Sequence, residues 1–250
     1  IDGWLEGEGR WSRKPLRLHR LRGPNLNLHL HIASLDLGYA KLNDVEVIAR
    51  RRERFWHLER LVAEASGGWL EGKGQLVEES LDRLKFQLEI EASGVPIAYL
   101  RPWLATDRIS SGSFSAELSL DTAGSSVGEA IGALRGGGKL EGSLELASGD
   151  DPRSRRNGAV LGLLFAEMEA LQLWVSGEIA ARDGRVTTPQ LRLMGPGRRL
   201  LVRGLLADLP LRRADFDIKV YGGEGGEELL TMMSASGPLG ALDLQSHPLP

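Results

Sequence analysis

Leu84-Lys85-Phe86-Gln87-Leu88-Glu89-Ile90-Glu91 alternates apolar and polar residues without a break. In an extended strand successive side chains point to opposite faces, so this segment carries one hydrocarbon face and one charged face. The pattern recurs along the chain. Leu26, Leu28, Leu30 and Ile32 alternate with Asn and His. Phe114, Ala116, Leu118 and Leu120 alternate with Ser and Glu, and Leu140, Leu144 and Leu146 continue the series. Leu171, Leu173, Val175 and Ile179 follow, then Phe216, Ile218 and Val220. The reading is a mainly β chain whose antiparallel sheet has one long apolar face.

Composition narrows the function classes. The chain has 250 residues, of which 42% are hydrophobic and 26% charged, the balance of a globular protein. Its formal net charge is −3, with no basic excess to neutralise a nucleic-acid backbone, so nucleic acid is not an expected partner. There is no cysteine, which excludes a disulfide scaffold and thiolate metal ligation. No apolar run reaches the roughly 20 residues of a membrane span; Ala159 to Leu173 comes nearest and is interrupted by Glu167 and Glu169. The chain begins at Ile1 within a strand-like pattern and reads as a piece of a longer polypeptide.

An internal echo organises the strands. Trp4-Leu-Glu-Gly-Glu-Gly9 and Trp69-Leu-Glu-Gly-Lys-Gly74 are near copies, with weaker ones at Leu140-Glu-Gly-Ser-Leu144 and Leu201-Val-Arg-Gly-Leu-Leu-Ala-Asp208. Each copy is expected to form a short strand, a turn and a longer strand, so that the sheet grows by addition of hairpins. Three segments depart from the β pattern. Pro96 to Ala105 reads as a short helix or turn ended by Pro102. Ser125 to Leu134 places Val127, Ala130, Ile131 and Leu134 at helical spacing, with Ser125 or Ser126 as N-cap. Gly158 to Leu171 has a wide apolar stripe of Val160, Leu161, Leu164, Phe165, Met168 and Leu171. The whole chain, 1–250, reads as a single β-rich unit, with a possible subdivision into 1–147 and 158–250 at the Asp-, Arg- and Gly-rich segment 148–157. Gly222 to Glu228 is a second expected flexible stretch.

The residues that suggest chemistry have simpler readings. His29 and His31 share a strand face and His19 could sit nearby, but they fill the polar positions of an alternating strand, and no metal site is expected. Asp183-Gly184 reads as a hairpin turn, Asp150-Asp151 as a loop solvated by arginines, and Gly136-Gly-Gly138 as a turn. Arg50 to Arg54 is weighed between anionic lipid head groups and a solvated turn, and the turn is favoured. No nucleophile, base and orienting group occur together, so no enzyme activity, catalytic residue or cofactor is expected.

From about residue 35 the order of motifs resembles the C-terminal region of the AsmA-like family. The motifs are Leu37 to Val47, Ala65 to Gly74, Ser111 to Ser126, the run from Leu134 to Gly142, and Ala181 to Leu193 followed by Val202-Arg-Gly204. The ending Gly204-Leu-Leu-Ala-Asp-Leu209 lacks one glycine of the family pattern. The resemblance implies an elongated, strongly curved antiparallel sheet, a β-groove, with two or three short helices. It implies a periplasmic lipid-transport module tied to the inner membrane by an N-terminal anchor outside this sequence and serving outer-membrane assembly. A phospholipid or other acyl lipid is the implied partner. The groove candidates are Leu84, Phe86, Leu88, Ile90, Phe114, Leu118, Leu120, Leu144, Leu146, Leu173, Val175, Ile179, Phe216 and Ile218. Periodicity alone leaves open a closed sandwich with sheets about 10 Å apart. The alternative function is an envelope adaptor that binds a protein partner by strand addition at a sheet edge.

Overall fold

The computed structural model describes residues 5–6, 10–14, 24–36, 41–80, 83–100, 109–147, 170–223, 227–238 and 243–247. Thirteen strands form one open antiparallel sheet in strict chain order: β3 (Leu26–Asp36), β4 (Lys41–Arg52), β5 (Phe55–Ala65), β6 (Gly68–Glu78), β7 (Leu84–Pro96), β8 (Ile109–Gly124), β9 (Arg135–Ala147), β10 (Ala170–Arg182), β11 (Arg185–Gly195), β12 (Arg198–Asp208), β13 (Arg213–Gly222), β14 (Glu228–Pro238) and β15 (Asp243–His247). A separate ribbon pairs β1 (Leu5–Glu6) with β2 (Arg10–Trp11). The sheet does not close into a barrel: β3 and β15 are its two edges. β9 and β10 pair across the segment once weighed as a boundary, with Leu144 opposite Leu173. The sheet is therefore continuous from β3 to β15.

Tight hairpins set the meander. Glu53, Ser66 and Asp183 adopt left-handed φ of 53°, 48° and 52° at the first position of two-residue turns. Gly67 and Gly184 follow the latter two with φ of 95° and 73°. Two successive left-handed residues twist in the sense that adjoining strands need, which is why Ser-Gly and Asp-Gly serve here. The Asp183-Gly184 turn stands as read from the sequence.

The helical segments are short. α1 (Val127–Gly132) is capped by Ser126, whose Oγ accepts from Glu129 N at 3.2 Å. Glu129 in turn accepts from Ser125 N at 3.0 Å and Ser125 Oγ at 2.8 Å. Of the expected helix or turn at 96–105, residues Ile97–Leu100 form one 3-10 turn and 101–105 lie outside the described residues. The expected helix at 158–171 lies outside them too, up to the start of β10.

Two expectations about glycine are corrected. Gly136-Gly-Gly138 is not a turn: it lies inside β9. The echo glycines Gly72, Gly74, Gly142 and Gly204 are likewise mid-strand, in β6, β9 and β12, and not at hairpin tips. At all of these but Gly72, where a Cβ would meet only ordinary contacts, the reason is close approach of the neighbouring strand. A Cβ on Gly138 would stand 1.8 Å from Glu117 O, one on Gly136 2.0 Å from Ser119 O, and one on Gly74 2.3 Å from Gln87 O. Any side chain there collides with backbone, so only glycine fits.

Candidate functional site

Register carries the alternation from strand to strand. Phe86 opposes Leu76 on β6 and Thr122 on β8; Leu88 opposes Gly74 and Leu120; Ile90 opposes Gly72 and Leu118. Outward from there, Leu118 opposes Gly138, Phe114 opposes Gly142, Gly142 opposes Val175, and Gly138 opposes Ile179. Val175 opposes Leu193, Leu193 opposes Leu200, Leu200 opposes Val220, and Ile218 opposes Met233. In the other direction Leu76 opposes Trp56, Trp56 opposes Arg51, and Arg51 opposes Leu26 on the edge strand. Directly opposed residues share a face. The thirteen groove candidates whose side chains are described therefore project from one side of one sheet; the side chain of Leu146 lies outside the described set.

Burial on that face is uneven. Leu173, Leu200 and Ile218 are at most 1% exposed and form a cluster with Leu193, Val202, Val220, Met233 and Ile97. Phe114, Leu144, Val175 and Phe216 pack partly buried against it. A second cluster is built on small residues, Ala65, Ala92, Val95 and Ala116, with Leu70, Tyr99 and Leu118 beside it. By contrast Leu84, Phe86, Leu88, Ile90, Leu118 and Leu120 are half-buried. On the edge strand Leu26 and Leu30 are 42% and 41% exposed.

The opposite face is a charged lattice. Lys73 and Glu89 form a 2.8 Å ion pair, which holds the Lys73 amine above its ordinary value, chiefly through that hydrogen bond. Gln75 donates to Gln87, which donates to Asp121 at 3.1 Å. Shallow hollows lie on this face, one of about 510 Å³ walled by the charged side chains of Glu71, Lys73, Glu89, Glu91, Glu117 and Lys139. They are open to solvent and run along the strands that carry Ile90, Leu118, Leu88 and Leu120, and their mixed charges are those of a solvated sheet face.

The remaining candidates resolve as follows. His29 Nε2 lies 3.1 Å from Glu46 Oε1, and His31 Nε2 3.8 Å from Asp44 Oδ1, all on the charged side near the edge. Among the described residues no group of three or more His, Asp and Glu is placed to hold a metal ion. His19, Asp150 and Asp151 lie outside the described residues. The Arg50–Arg54 run is only partly a turn, since β4 continues through Arg52. Arg51 departs most from a solvated reading. It projects onto the apolar face, is 5% exposed, lies 5.7 Å from the Trp56 ring centre, and donates from Nη1 to Pro24 O at 3.0 Å. Burial on the apolar face was legible for Arg51, because it falls in phase with Val45, Val47 and Ala49.

No helix among the described residues is long and apolar enough to cross a membrane. No family model, no curated protein and no solved structure matches this chain.

Proposed function

We propose that this chain is a non-enzymatic lipid-binding module that holds acyl chains against the apolar face of its sheet. One observation carries the reading: a single face is predominantly apolar from β3 to β14, with Arg51, Glu78 and Thr188 its buried polar exceptions, and a large part of it is only half-buried. Exposed apolar area of this extent marks an interaction surface, and each CH₂ buried on it contributes about 0.8 kcal/mol. The resemblance to the AsmA-like family supports the same reading and adds the setting: the periplasm, a membrane anchor elsewhere in the polypeptide, and a role in lipid transport for the outer membrane.

The proposed sheet curves around its apolar side. Two contacts of one 3-10 turn support this. Tyr99 Oη donates to Lys41 O on β4, while Ile97 belongs to the cluster of β10 to β14. On a flat sheet β4 and β10 stand about 29 Å apart, six spacings of about 4.8 Å. The glycines whose missing side chains face the apolar side relieve crowding on a concave surface.

Native mass spectrometry and solvent extraction of the purified chain test the reading. Co-purifying acyl lipid is the expected result, and a chain that stays lipid-free after incubation with phospholipid vesicles overturns it. The adaptor reading has one observation in its favour. Residues 26–35 of edge strand β3 contain no charged residue, Pro or Gly, the features that usually block strand addition. A protein captured at β3 with no lipid on the chain would favour it.

A further inference from the structure

The apolar face has two zones that differ in what they leave open. Only from β10 to β14 are large strand side chains on this face fully buried: Leu173, Leu200 and Ile218 have no free surface to offer a ligand, while Val175, Leu191 and Phe216 pack half-buried against them. From β3 to β9 the buried aliphatics on this face are Ala and Val, such as Ala63, Ala92 and Val45, while the Leu, Ile and Phe side chains stay half-buried or exposed. Phe114 packs against both clusters and marks the border.

We infer that the hydrocarbon ligand is confined to the β3–β8 part of this face, entering from the β3 edge and stopping at Phe114, with the β10–β14 part serving as a sealed end. The inference rests on the lipid-binding reading above and limits where the lipid sits. Three features select an acyl chain as the occupant. Strands β4 to β8 are laddered on both sides, interrupted by register shifts such as that at Leu58/Leu61, and the strip's middle rows, Leu61-Gly72-Ile90-Leu118 and Leu58-Gly74-Leu88-Leu120, are hydrocarbon or bare. Such a surface offers no hydrogen bond, so an extended peptide laid on it would leave its own backbone unpaired, whereas an acyl chain has nothing to pair. Gly74 leaves β6 bare between Leu58 and Leu88, while at Gly72 the Leu61 side chain leans over the strand toward Ile90. The strip crosses six strands, about 24 Å, enough for one acyl chain, which spans about 15 Å as half of a bilayer's hydrocarbon core of about 30 Å.

Site-specific photocross-linking tests this. A benzophenone side chain is placed singly at Leu58, Leu88 or Leu120 in the strip, and at Val175 or Phe216 beside the sealed zone. Each variant of the 250-residue chain is incubated with phosphatidylcholine vesicles, irradiated and weighed by mass spectrometry. Circular dichroism screens out misfolded variants, and the three strip positions guard against loss of any one. Lipid adducts at the strip positions, at least tenfold above those at Val175 and Phe216, are expected. Equal adducts in both zones overturn the confinement while leaving lipid binding in place. Adducts nowhere on the face overturn both. Strip adducts to a protein instead of lipid overturn the choice of occupant.

Discussion

At the scale of single residues the apolar face makes opposite demands at neighbouring positions. Leu88 is half-buried and its opposite neighbours on β6 and β8 are Gly74 and Leu120. Leu88→Asp sets a carboxylate on a surface that water reaches when no lipid is there. The expected outcome is retained secondary structure by circular dichroism and lost lipid cross-linking. An unfolded variant would mean the face is closed around Leu88, since an unpaired buried charge costs more than most domains can spare. Gly138 makes the reverse demand. Gly138→Ala drives a Cβ to 1.8 Å from a backbone oxygen, and the strand pair must spread. A loss of about 1–3 kcal/mol is expected, as for other overpacked sites. Gly132→Ala is the control, because nothing lies within 4 Å of its Cβ. Thermal melts compare the two, and equal melting temperatures would refute the close approach.

At the scale of elements, strands were readable because their period of two is written in side-chain chemistry. Phe86, Leu88 and Ile90 oppose on β8 residues from the same alternation, Leu120 and Leu118 among them. Glycine was the residue that misled. Gly72, Gly74, Gly136 and Gly138 looked like turn formers, yet each falls in the apolar phase of its strand. Phase was the available signal; at Gly74, Gly136 and Gly138 the carbonyl that excludes a Cβ belongs to another strand and is invisible in local sequence. The burial of Arg51 was likewise written in its phase, which places it with Ala49 and apart from its arginine neighbours Arg50 and Arg52. The cap of α1 was legible, since Ser-x-x-Glu is a local pattern. Ser126→Ala removes the acceptor of Glu129 N and should cost about 1 kcal/mol, read as a lower melting temperature; no change would mean that α1 adds nothing to the folded sheet. Hydrogen bonds from Ser125 hold the Glu129 carboxyl below its ordinary value of 4.5. A lowered carboxylate stabilises the fold above its unfolded pKa and loses that contribution as pH falls through the folded one. The melting temperatures of the chain and of Glu129→Gln should therefore converge on acidification below 4.5; a gap that persists in acid would refute the role of the charge.

At the scale of the whole molecule, strict neighbour-to-neighbour order makes the sheet a nearly one-dimensional array. Each strand is stabilised mainly by the two beside it, so stability need not be uniform along the chain. The two zones of the apolar face predict the gradient. Strands β11 to β13 carry Leu193, Leu200, Val202, Ile218 and Val220, all buried. Each such side chain contributes about 1.5–3 kcal/mol when fully removed from water. Among the described residues strand β3 has no second neighbour, and it exposes Leu26 and Leu30, so it forfeits much of that contribution as well as half of its ladder. Amide hydrogen exchange at neutral pH should find the slowest amides in β11 to β13, opening only with global unfolding, and fast ones in β3. Strand β4 should lie between, because its Val45 and Ala49 are buried but small. Adding phosphatidylcholine vesicles should slow β3 to β8 and leave β11 to β13 unchanged, since ligand stabilises only the opening it blocks. Protection as high in β3 as in β12 without lipid would show that the array opens as one unit, and the division of the apolar face would then have no energetic counterpart.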